Sequence, residues 1–367
     1  MDNYISENEA KDKIEDRALN PDDIAAIYFT SGTTMESKAV PLTHKNICEN
    51  IINTNKIFNL SNDDISLSIL PSSHVLEGLF CSIHTMVAGA KKIICNELDD
   101  IINYIKKYKV TFIGGVPAIY KYLLNYKDEL KGEASHINMF MSGGAKLDES
   151  IIKEYNKLGI TMIQGYGMTE CSPVISIENK SNNKLGSVGK VINGLDIKIK
   201  NTDNEDVGTI FVKGDSIFKE YYNDKKITDE SFKNNWFNTG DLGRLDNDGY
   251  LFICGREKDL IVLDNGKKIY PEEIESILNN KEEIKESFIY NIDNKIYAKI
   301  VSDKSKEDLK ELISSINNKL PQYKQIHDYE ISNEEIIRNA IGKIKRNHDE
   351  KLFNFLLCIC FLFCSVL

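Results

Sequence analysis

The chain has 367 residues, of which 41% are hydrophobic and 28% charged, a composition typical of a folded globular protein with two or three domains. Its 46 basic and 56 acidic residues leave a formal net charge of −10, which argues against a general nucleic-acid binder. The eight cysteines lack metal-ligand or disulfide spacing, and the polar N-terminus lacks a signal-peptide pattern, so we expect a reduced, cytoplasmic protein.

Short apolar runs alternate with helical patterns over the first part of the chain. Ile24–Thr30 lies between a proline and a glycine, and its length and flanks predict a buried strand. Further strands are expected at Ile65–Leu70, Lys92–Cys95 and Val110–Ile113, and a helix over Asp99–Tyr108. This alternation predicts an α/β architecture with a largely parallel sheet.

The sequence pattern changes in the second half of the chain. From Lys184 to Tyr250, short strands divided by Asn, Asp and Gly predict a β-rich subdomain. Pro271–Asn279 predicts a helix with proline in its first turn, and a β–α pattern follows it. A charged turn at Gly255–Asp259 marks the boundary, so we expect a large layered α/β domain over 1–256 and a small α+β domain over 257–350.

The segment 351–367 is a hydrophobic tail, and its residues Leu352–Leu367 carry no charge. As a helix, these residues would extend about 24 Å, which is short of the roughly 30 Å hydrocarbon core of a bilayer. Three interpretations stay open: an anchor that gives weak membrane association, a buried helix, or sequence that is not native to the fold.

A loop rich in hydroxyl groups follows the first predicted strand. Thr30–Thr34 (TSGTT) places three threonines and a serine beside a glycine, and Lys38 adds a cation. Between a strand and a helix capped by Thr43, such a loop could present N–H and hydroxyl groups to phosphate oxygens. It is not a Walker A loop, and a polar strand-to-helix turn explains the segment alone equally well.

Five segments in a fixed order resemble the signatures of the adenylate-forming enzymes, which include acyl- and aryl-CoA synthetases, luciferases and peptide-synthetase adenylation domains. The segments are YFTSGTTMESKAVPLTHKNI at 28–47, QGYGMTE at 164–170, NTGD at 238–241, GREKD at 255–259 running on to GKKIYPEEIE at 266–275, and GKIKR at 342–346. The resemblance covers about residues 20–348, and within the family the long-chain fatty acyl-CoA synthetases are most similar. Because the family has a long α/β segment before the phosphate loop, the resemblance implies a large domain shortened at its N-terminus.

This resemblance implies that ATP activates a carboxylate, a fatty acid in our interpretation, as an acyl-adenylate, which coenzyme A then converts into a thioester. The implied ligands are ATP, Mg²⁺, coenzyme A and the small-molecule carboxylate. Two alternatives stay open, namely a catalytically impaired ATP- or AMP-binding fragment and a ligase that transfers the acyl group to an acyl carrier protein.

The resemblance also assigns roles to individual residues. It implies catalytic roles for Lys343, Thr169 and Glu170, with Glu170 also a Mg²⁺ ligand, and makes Lys258 the hinge of a mobile lid over 257–350. His74 is a candidate for the carboxylate pocket, and the apolar run Val75–Met86 forms either an acyl-tunnel wall or a core helix. The residues implied to bind nucleotide are Thr30, Ser31, Gly32, Thr33, Thr34, Lys38, Gly143, Gly144, Ala145, Gly165, Tyr166, Gly167, Asp241 and Arg256.

Overall fold

The structure is a computed structural model, and it describes residues 19–30, 37–58, 60–203, 205–334 and 336. Some of the predicted features lie outside these residues: Ser31, Gly32, Thr33, Thr34, Lys343 and the tail 351–367. What the sequence implies for them therefore stays a prediction.

The first described elements are two antiparallel strands, β1 (Ile24–Thr30) and β2 (Lys38–Thr43), followed by helix α1 (His44–Phe58). Thr30 pairs with Lys38, so the predicted phosphate loop connects the two strands of a hairpin. The expectation that this loop joins a strand to a helix is wrong, because the residues after it pair with β1 before the helix begins.

The bounds of β1 are those that the sequence predicts, but its predicted burial is wrong. Ala26 and Tyr28 pack against the core on one face, whereas Phe29, which points the other way, is 71% exposed. Within the described residues β1 pairs with β2 alone, and its outer face is not covered. A continuous apolar run does not reveal whether both faces of a strand will be covered.

Thr43 caps helix α1, as the sequence predicts. Its Oγ1 accepts a 3.1 Å hydrogen bond from Asn46 N, and Asn46 Oδ1 accepts a 2.9 Å bond from Thr43 N. This reciprocal pair satisfies two backbone donors at the start of the helix. The Asn46 amide also donates to the carbonyl oxygens of Asp215 and Ile217, which ties the helix to a distant part of the chain.

The central sheet contains seven strands. They are β3 (Ile65–Ser68), β4 (Lys91–Ile94), β5 (Phe112–Gly115), β6 (Met139–Ser142), β7 (Met162–Gly167), β8 (Val174–Ile177) and β9 (Lys190–Val191). The order is β4-β3-β5-β6-β7-β8-β9, with parallel pairs from β4 to β7 and antiparallel pairs at β8 and β9. The prediction of a largely parallel sheet is confirmed, and β3, β4 and β5 correspond to predicted strands with shifted ends.

Helices cover both faces of this sheet. Besides α1 they are α2 (Ser82–Val87), α3 (Ile101–Tyr108), α4 (Pro117–Leu123), α5 (Lys127–Glu133) and α6 (Glu149–Lys157). Along β6, Met139 and Met141 belong to one core cluster, which includes Ile51 of α1, while Phe140 belongs to another, which includes Ile105 of α3. Because neighbouring residues of a strand point to opposite faces, the strand separates two apolar layers. The predicted layered α/β arrangement is confirmed.

The predicted β-rich part forms a five-stranded antiparallel sheet. Its strands are β10 (Leu195–Lys200), β11 (Gly208–Gly214), β12 (Phe232–Lys233), β13 (Trp236–Leu245) and β14 (Leu251–Arg256), and helix α7 (Lys225–Ser231) precedes β12. The order is β10-β11-β13-β12, with β14 also paired to β13. In the β13–β14 register Asp241 lies opposite Arg256.

The last described part has its own hydrophobic core, which includes Ile274, Ile300 and Ile313. It follows a 3₁₀ turn at Glu257–Asp259 and contains β15 (Ile261–Val262), β16 (Lys268–Ile269), α8 (Pro271–Asn279), β17 (Glu286–Ile292), β18 (Lys295–Val301), α9 (Lys306–Asn317) and β19 (Ile326–Ser332). Helix α8 has the predicted bounds, with proline in its first turn. The domain boundaries at 256/257 and 350/351 stay predictions.

Candidate active site

One open cleft collects the predicted site residues that the structure describes. Its volume is about 4090 Å³, several times the roughly 300–1,000 Å³ of an ordinary small-molecule pocket. It lies beyond the carboxyl ends of β6 and β7, where ligands bind in parallel α/β sheets. The predicted residues that line it are Thr30, Lys38, His74, Gly143, Gly144, Ala145, Gly165, Tyr166, Gly167, Thr169, Glu170, Asp241, Arg256 and Lys258.

Three of these residues form a polar cluster around one buried carboxylate. The Tyr166 hydroxyl donates a 2.7 Å hydrogen bond to Asp241 Oδ2, and Arg256 Nε lies 3.3 Å from Asp241 Oδ1. A carboxylate can accept about four hydrogen bonds, so Asp241 keeps acceptor capacity for a further ligand. The cluster is therefore suited to bind neighbouring hydroxyl groups, such as those of a ribose.

Backbone pairing and one side chain fix the position of Asp241. Thr239 Oγ1 accepts a 3.1 Å bond from Asp241 N and donates a 2.9 Å bond to Ile210 O, which secures the turn to β11. Burial and the neighbouring Asp241 charge raise the pKa of the Tyr166 hydroxyl well above its ordinary value. Tyr166 therefore keeps its proton and serves Asp241 as a hydrogen-bond donor.

A second polar cluster surrounds Glu170, which lies in the short 3₁₀ turn Thr169–Cys171 just beyond β7. Glu170 is buried, and its Oε1 accepts a 2.8 Å hydrogen bond from the hydroxyl of Tyr221. Lys38 Nζ lies 4.9 Å from the centre of the same tyrosine ring, within the range of a cation–π contact. The cleft thus holds a carboxylate and an ammonium group that contact one aromatic side chain.

The two glycines of the QGYGMTE segment differ in how much space the fold leaves for a side chain. A Cβ on Gly167 would lie 2.0 Å from Pro173 O, so the chain itself requires glycine there to let the backbone approach. A Cβ on Gly165 would meet its nearest neighbour, in Ile177, at an ordinary 3.5 Å. Whether the two glycines also let a nucleotide approach stays a prediction.

Part of the cleft lining comes from the chain around His74. His74 Nδ1 accepts a 3.3 Å bond from Leu76 N at the start of the π-helical segment Leu76–Cys81. Leu76 both lines the cleft and belongs to the core, while Phe80 is fully buried. The run Val75–Met86 is therefore mainly core, and the role of His74 as a pocket residue stays a prediction.

The donor atoms near Glu170 fit Mg²⁺. Magnesium prefers hard oxygen ligands and usually combines one or two carboxylates with substrate phosphates and water. Within the described ranges no group of three or more His, Cys, Asp or Glu side chains could enclose a metal ion. Glu170 supplies a single carboxylate to the cleft, with Thr169 next to it in the same turn, which matches an ion that reaches the protein together with a phosphate ligand.

Sequence reasoning missed Tyr221. It lies in the stretch Lys219–Lys226 (KEYYNDKK), where neither the charged neighbours nor the spacing indicates a site. Its contact with Glu170 joins residues 51 positions apart, and only the tertiary fold brings them together. No pattern in this one sequence could have identified it.

Comparison with known proteins decides the family. The model of the AMP-binding enzyme family matches residues 2–222, more than half of the chain. The chain belongs to the AMP-binding enzyme family. The predicted superfamily is thereby confirmed, and so is the prediction that the chain is an enzyme. The relatives that it matches include proteins named CoA ligases.

Two curated relatives and one solved structure illustrate the similarity of this AMP-binding enzyme. The putative acyl–CoA ligase YdaB of Bacillus subtilis is 29% identical over 91% of this chain and 68% of the relative. The long-chain-fatty-acid–CoA ligase FadD13 of Mycobacterium tuberculosis is 29% identical over 88% of this chain and 66% of the relative. The Bacillus subtilis o-succinylbenzoate CoA synthetase MenE, in complex with ATP and magnesium, has a TM-score of 0.78 and 28% identity over 90% of this chain and 70% of its own.

The chain thus spans about two thirds of the length of these relatives. Their names include a fatty-acid ligase and a succinylbenzoate ligase, so the comparisons support a CoA ligase without fixing the acid. The narrower prediction of a fatty acyl-CoA synthetase is therefore not confirmed, because the relatives' names cover several kinds of acid.

Proposed function

We propose that this AMP-binding enzyme activates fatty acids with ATP and joins them to coenzyme A. In the first half-reaction a carboxylate oxygen attacks the α-phosphorus of ATP, the bond from that phosphorus to the bridging oxygen breaks, and pyrophosphate leaves. In the second, the sulfur of coenzyme A attacks the acyl carbon, the bond to AMP breaks, and the thiol proton is released.

The observation that carries this proposal is that two polar clusters face one cleft. Asp241, with Tyr166 and Arg256, offers acceptors and a cation to a ribose, and Glu170 and Lys38 offer a carboxylate and a cation near phosphates. Phosphoryl transfer depends mostly on positioning and charge stabilisation, and these groups provide both. The remaining predicted nucleotide contacts are Thr30, Gly143, Gly144, Ala145, Gly165 and Gly167, with Ser31, Gly32, Thr33 and Thr34 outside the described residues.

Mg²⁺ would be held by Glu170 together with the nucleotide phosphates, where it supplies positive charge that offsets the charge of the triphosphate. Thr169 lies in the same turn and lines the cleft, so its hydroxyl can donate to the α-phosphate. Lys38 can approach the other phosphates as a flexible ammonium group.

The lid is the second part of the proposal. Lys258 lies in the 3₁₀ turn between β14 and the C-terminal unit, where a few backbone angles could absorb a rotation. Lys343 would be carried by that unit to the attacking carboxylate and then withdrawn. Closing the cleft in this way would also protect the acyl-adenylate from water.

The choice of fatty acids is supported by apolar residues along the cleft and by one relative, the long-chain-fatty-acid–CoA ligase FadD13. The apolar lining residues include Val75, Leu76, Val116 and Met141. His74 also lines the cleft and is our candidate for the carboxylate end of the pocket. Coenzyme A is proposed as acceptor because the relatives are named CoA ligases.

A panel of acids tests the proposal. Purified chain is mixed with ATP, Mg²⁺ and coenzyme A, and pyrophosphate release is measured with short, medium and long fatty acids, with 2-succinylbenzoate and with no acid. Release that depends on a fatty acid supports the proposal, and release with 2-succinylbenzoate alone contradicts the substrate class. ATP binding without pyrophosphate release from any acid would favour an impaired nucleotide-binding chain, and replacing coenzyme A by an acyl carrier protein tests the other acceptor.

A further inference from the structure

A short segment between β11 and α7, residues 218–222, contacts both chain regions that supply the Glu170 cluster. Phe218 N donates a 2.9 Å bond to Glu170 O, and Tyr222 N donates a 2.9 Å bond to Ala39 O, one residue beyond Lys38. The backbone of this segment therefore holds the turn of Glu170 and the start of β2 in a fixed relation.

The side chain of Tyr221 adds two contacts to the same two regions. Its hydroxyl donates to Glu170 Oε1 at 2.8 Å, and the face of its ring lies 4.9 Å from Lys38 Nζ. Tyr221 is 5% exposed, and its ring packs edge-on against Phe218 at a centroid distance of 4.7 Å. A buried ring held in this way is a rigid spacer between the two charged groups.

Lys38 and Glu170 do not pair with each other. Among the described residues, the salt bridges include none between them, and no hydrogen bond reaches Glu170 Oε2. Two opposite charges in one cleft would gain Coulomb energy by direct contact, and such a pair would compete with a metal and a phosphate for both groups. Tyr221 occupies the position from which it can keep them apart.

We propose that Tyr221 is a positioning residue for Mg·ATP: its hydroxyl orients Glu170 so that Oε2 is left for the metal, and its ring holds Lys38 for phosphate. The proposal rests on the proposed function only in that ATP is the ligand. A tyrosine hydroxyl carries its proton at neutral pH, so it can donate the hydrogen bond to Glu170 Oε1. The hydroxyl and the ring have separate roles, and substitutions can separate them.

The test uses three variants of the full chain. Tyr221→Phe removes the hydroxyl and keeps the ring, whereas Tyr221→Leu removes both. Tyr222→Phe is the matched control, since it makes the same change at the adjacent residue, which is 52% exposed. ATP binding is measured by calorimetry with saturating Mg²⁺ and again with EDTA, and each variant's thermal midpoint is recorded.

With Mg²⁺ present, Tyr221→Phe should weaken ATP binding about ten-fold, the effect of losing a hydrogen bond to a charged group, and it should leave metal-free binding unchanged. Tyr221→Leu should also weaken metal-free binding, by about five-fold, because Lys38 loses its contact with the ring. Tyr222→Phe should match the unaltered chain in both conditions.

A Tyr221→Phe variant with the same Mg²⁺ enhancement of ATP binding as the unaltered chain would overturn the proposal. A variant with a lower thermal midpoint but an unchanged Mg²⁺ enhancement of ATP binding would also overturn it, because Tyr221 would then have a purely structural role. In a Glu170→Gln background the further change Tyr221→Phe should have no effect on the enhancement. Because this readout is binding, the proposed function can fail, by lack of pyrophosphate release, while the inference about Tyr221 stands.

Discussion

The Tyr166 hydroxyl donates a 2.7 Å hydrogen bond to Asp241 Oδ2 across 75 positions of sequence. Tyr166 lies on β7 of the central sheet and Asp241 on β13 of the β-rich sheet, so this bond joins the two sheets at the cleft. Arg256 on β14 approaches the other carboxylate oxygen at 3.3 Å. Asp241 is therefore oriented by residues of both sheets.

Substituting Tyr166 with Phe should weaken ATP binding about ten-fold, because Asp241 loses a donor of the kind that contributes about 1.5–3 kcal/mol to a charged acceptor. Calorimetry measures the ATP affinity of each variant. Tyr250→Phe is the control, since among the described residues its hydroxyl donates one long hydrogen bond, 3.5 Å to Asn182 O, and Tyr250 is not among those that line the cleft. ATP affinity that is equal in the two variants would contradict the orienting role of Tyr166.

Gly167→Ala should destabilise the protein by about 2 kcal/mol or more, because the added Cβ would lie 2.0 Å from Pro173 O and the strands would have to separate. Gly132→Ala is the matched control. Gly132 lies in helix α5 with no atom within 4 Å of its ideal Cβ, so the change should stabilise by about 0.5–1 kcal/mol. Urea unfolding measures both changes, and equal midpoints would refute the close approach at Gly167.

Acid should destabilise the fold through His84, which is fully buried with Nδ1 2.8 Å from Phe80 O and Nε2 2.7 Å from Thr54 Oγ1. Burial lowers its pKa from 6.5 to about 4. The unfolded chain then binds a proton at higher pH than the folded one, so the stabilisation is fully present above about pH 6.5 and is lost as the pH falls through about 4.

The expected loss over that window is up to about 3 kcal/mol in the free energy of unfolding. Urea titrations between pH 7 and pH 4 measure it, and His84→Gln should flatten the pH dependence. The exposed His327 supplies the control substitution, His327→Gln, which should leave the curve as it is. A His84→Gln curve as steep as that of the unaltered chain would show that the loss arises elsewhere.

Lys343→Ala should reduce acid-dependent pyrophosphate release by at least a hundred-fold, because the attacking carboxylate and the α-phosphate would lose a cation in the transition state. ATP binding should change little, since the predicted role is confined to the first half-reaction. Lys345→Ala makes the same change two residues away and should retain release. If the two variants keep comparable rates, the catalytic assignment of Lys343 fails.

Deleting residues 352–367 tests the hydrophobic tail. Among the described helices, none is long and apolar enough to cross a membrane, and the tail itself lies outside them. If the tail supplies weak membrane association, the deletion should move the protein from the membrane fraction to the supernatant after centrifugation of lysed cells. An unchanged distribution would exclude an anchoring role.

The sequence predicted the bounds of individual helices and strands better than it predicted which other elements cover them. The bounds of β1 and α8 follow from apolar runs and a proline that act locally. The exposure of Phe29 could not be predicted, because it depends on which other elements cover the strand. Strand β2 was not predicted, because its few residues include Pro41 and because its formation depends on pairing with β1.

The candidate site was also predicted only in part, since several of its residues were identified and their contacts were not. Asp241, Arg256 and Glu170 were singled out because the segments that contain them resemble signatures of the adenylate-forming enzymes, and the roles that this resemblance implies stay predictions. Their contacts were not predicted: the bond from Tyr166 to Asp241 and the bond from Tyr221 to Glu170 join distant positions. Such contacts arise from packing of the two sheets and carry no local signal.

The most direct test of the account follows the carboxylate oxygen. A fatty acid labelled with ¹⁸O in its carboxylate is incubated with the chain, ATP, Mg²⁺ and coenzyme A, and the nucleotide product is analysed by mass spectrometry. Attack of the acid on the α-phosphorus predicts AMP that carries one ¹⁸O, with one pyrophosphate for each AMP. Unlabelled AMP, or ADP and phosphate as products, would contradict the formation of an acyl-adenylate in this cleft.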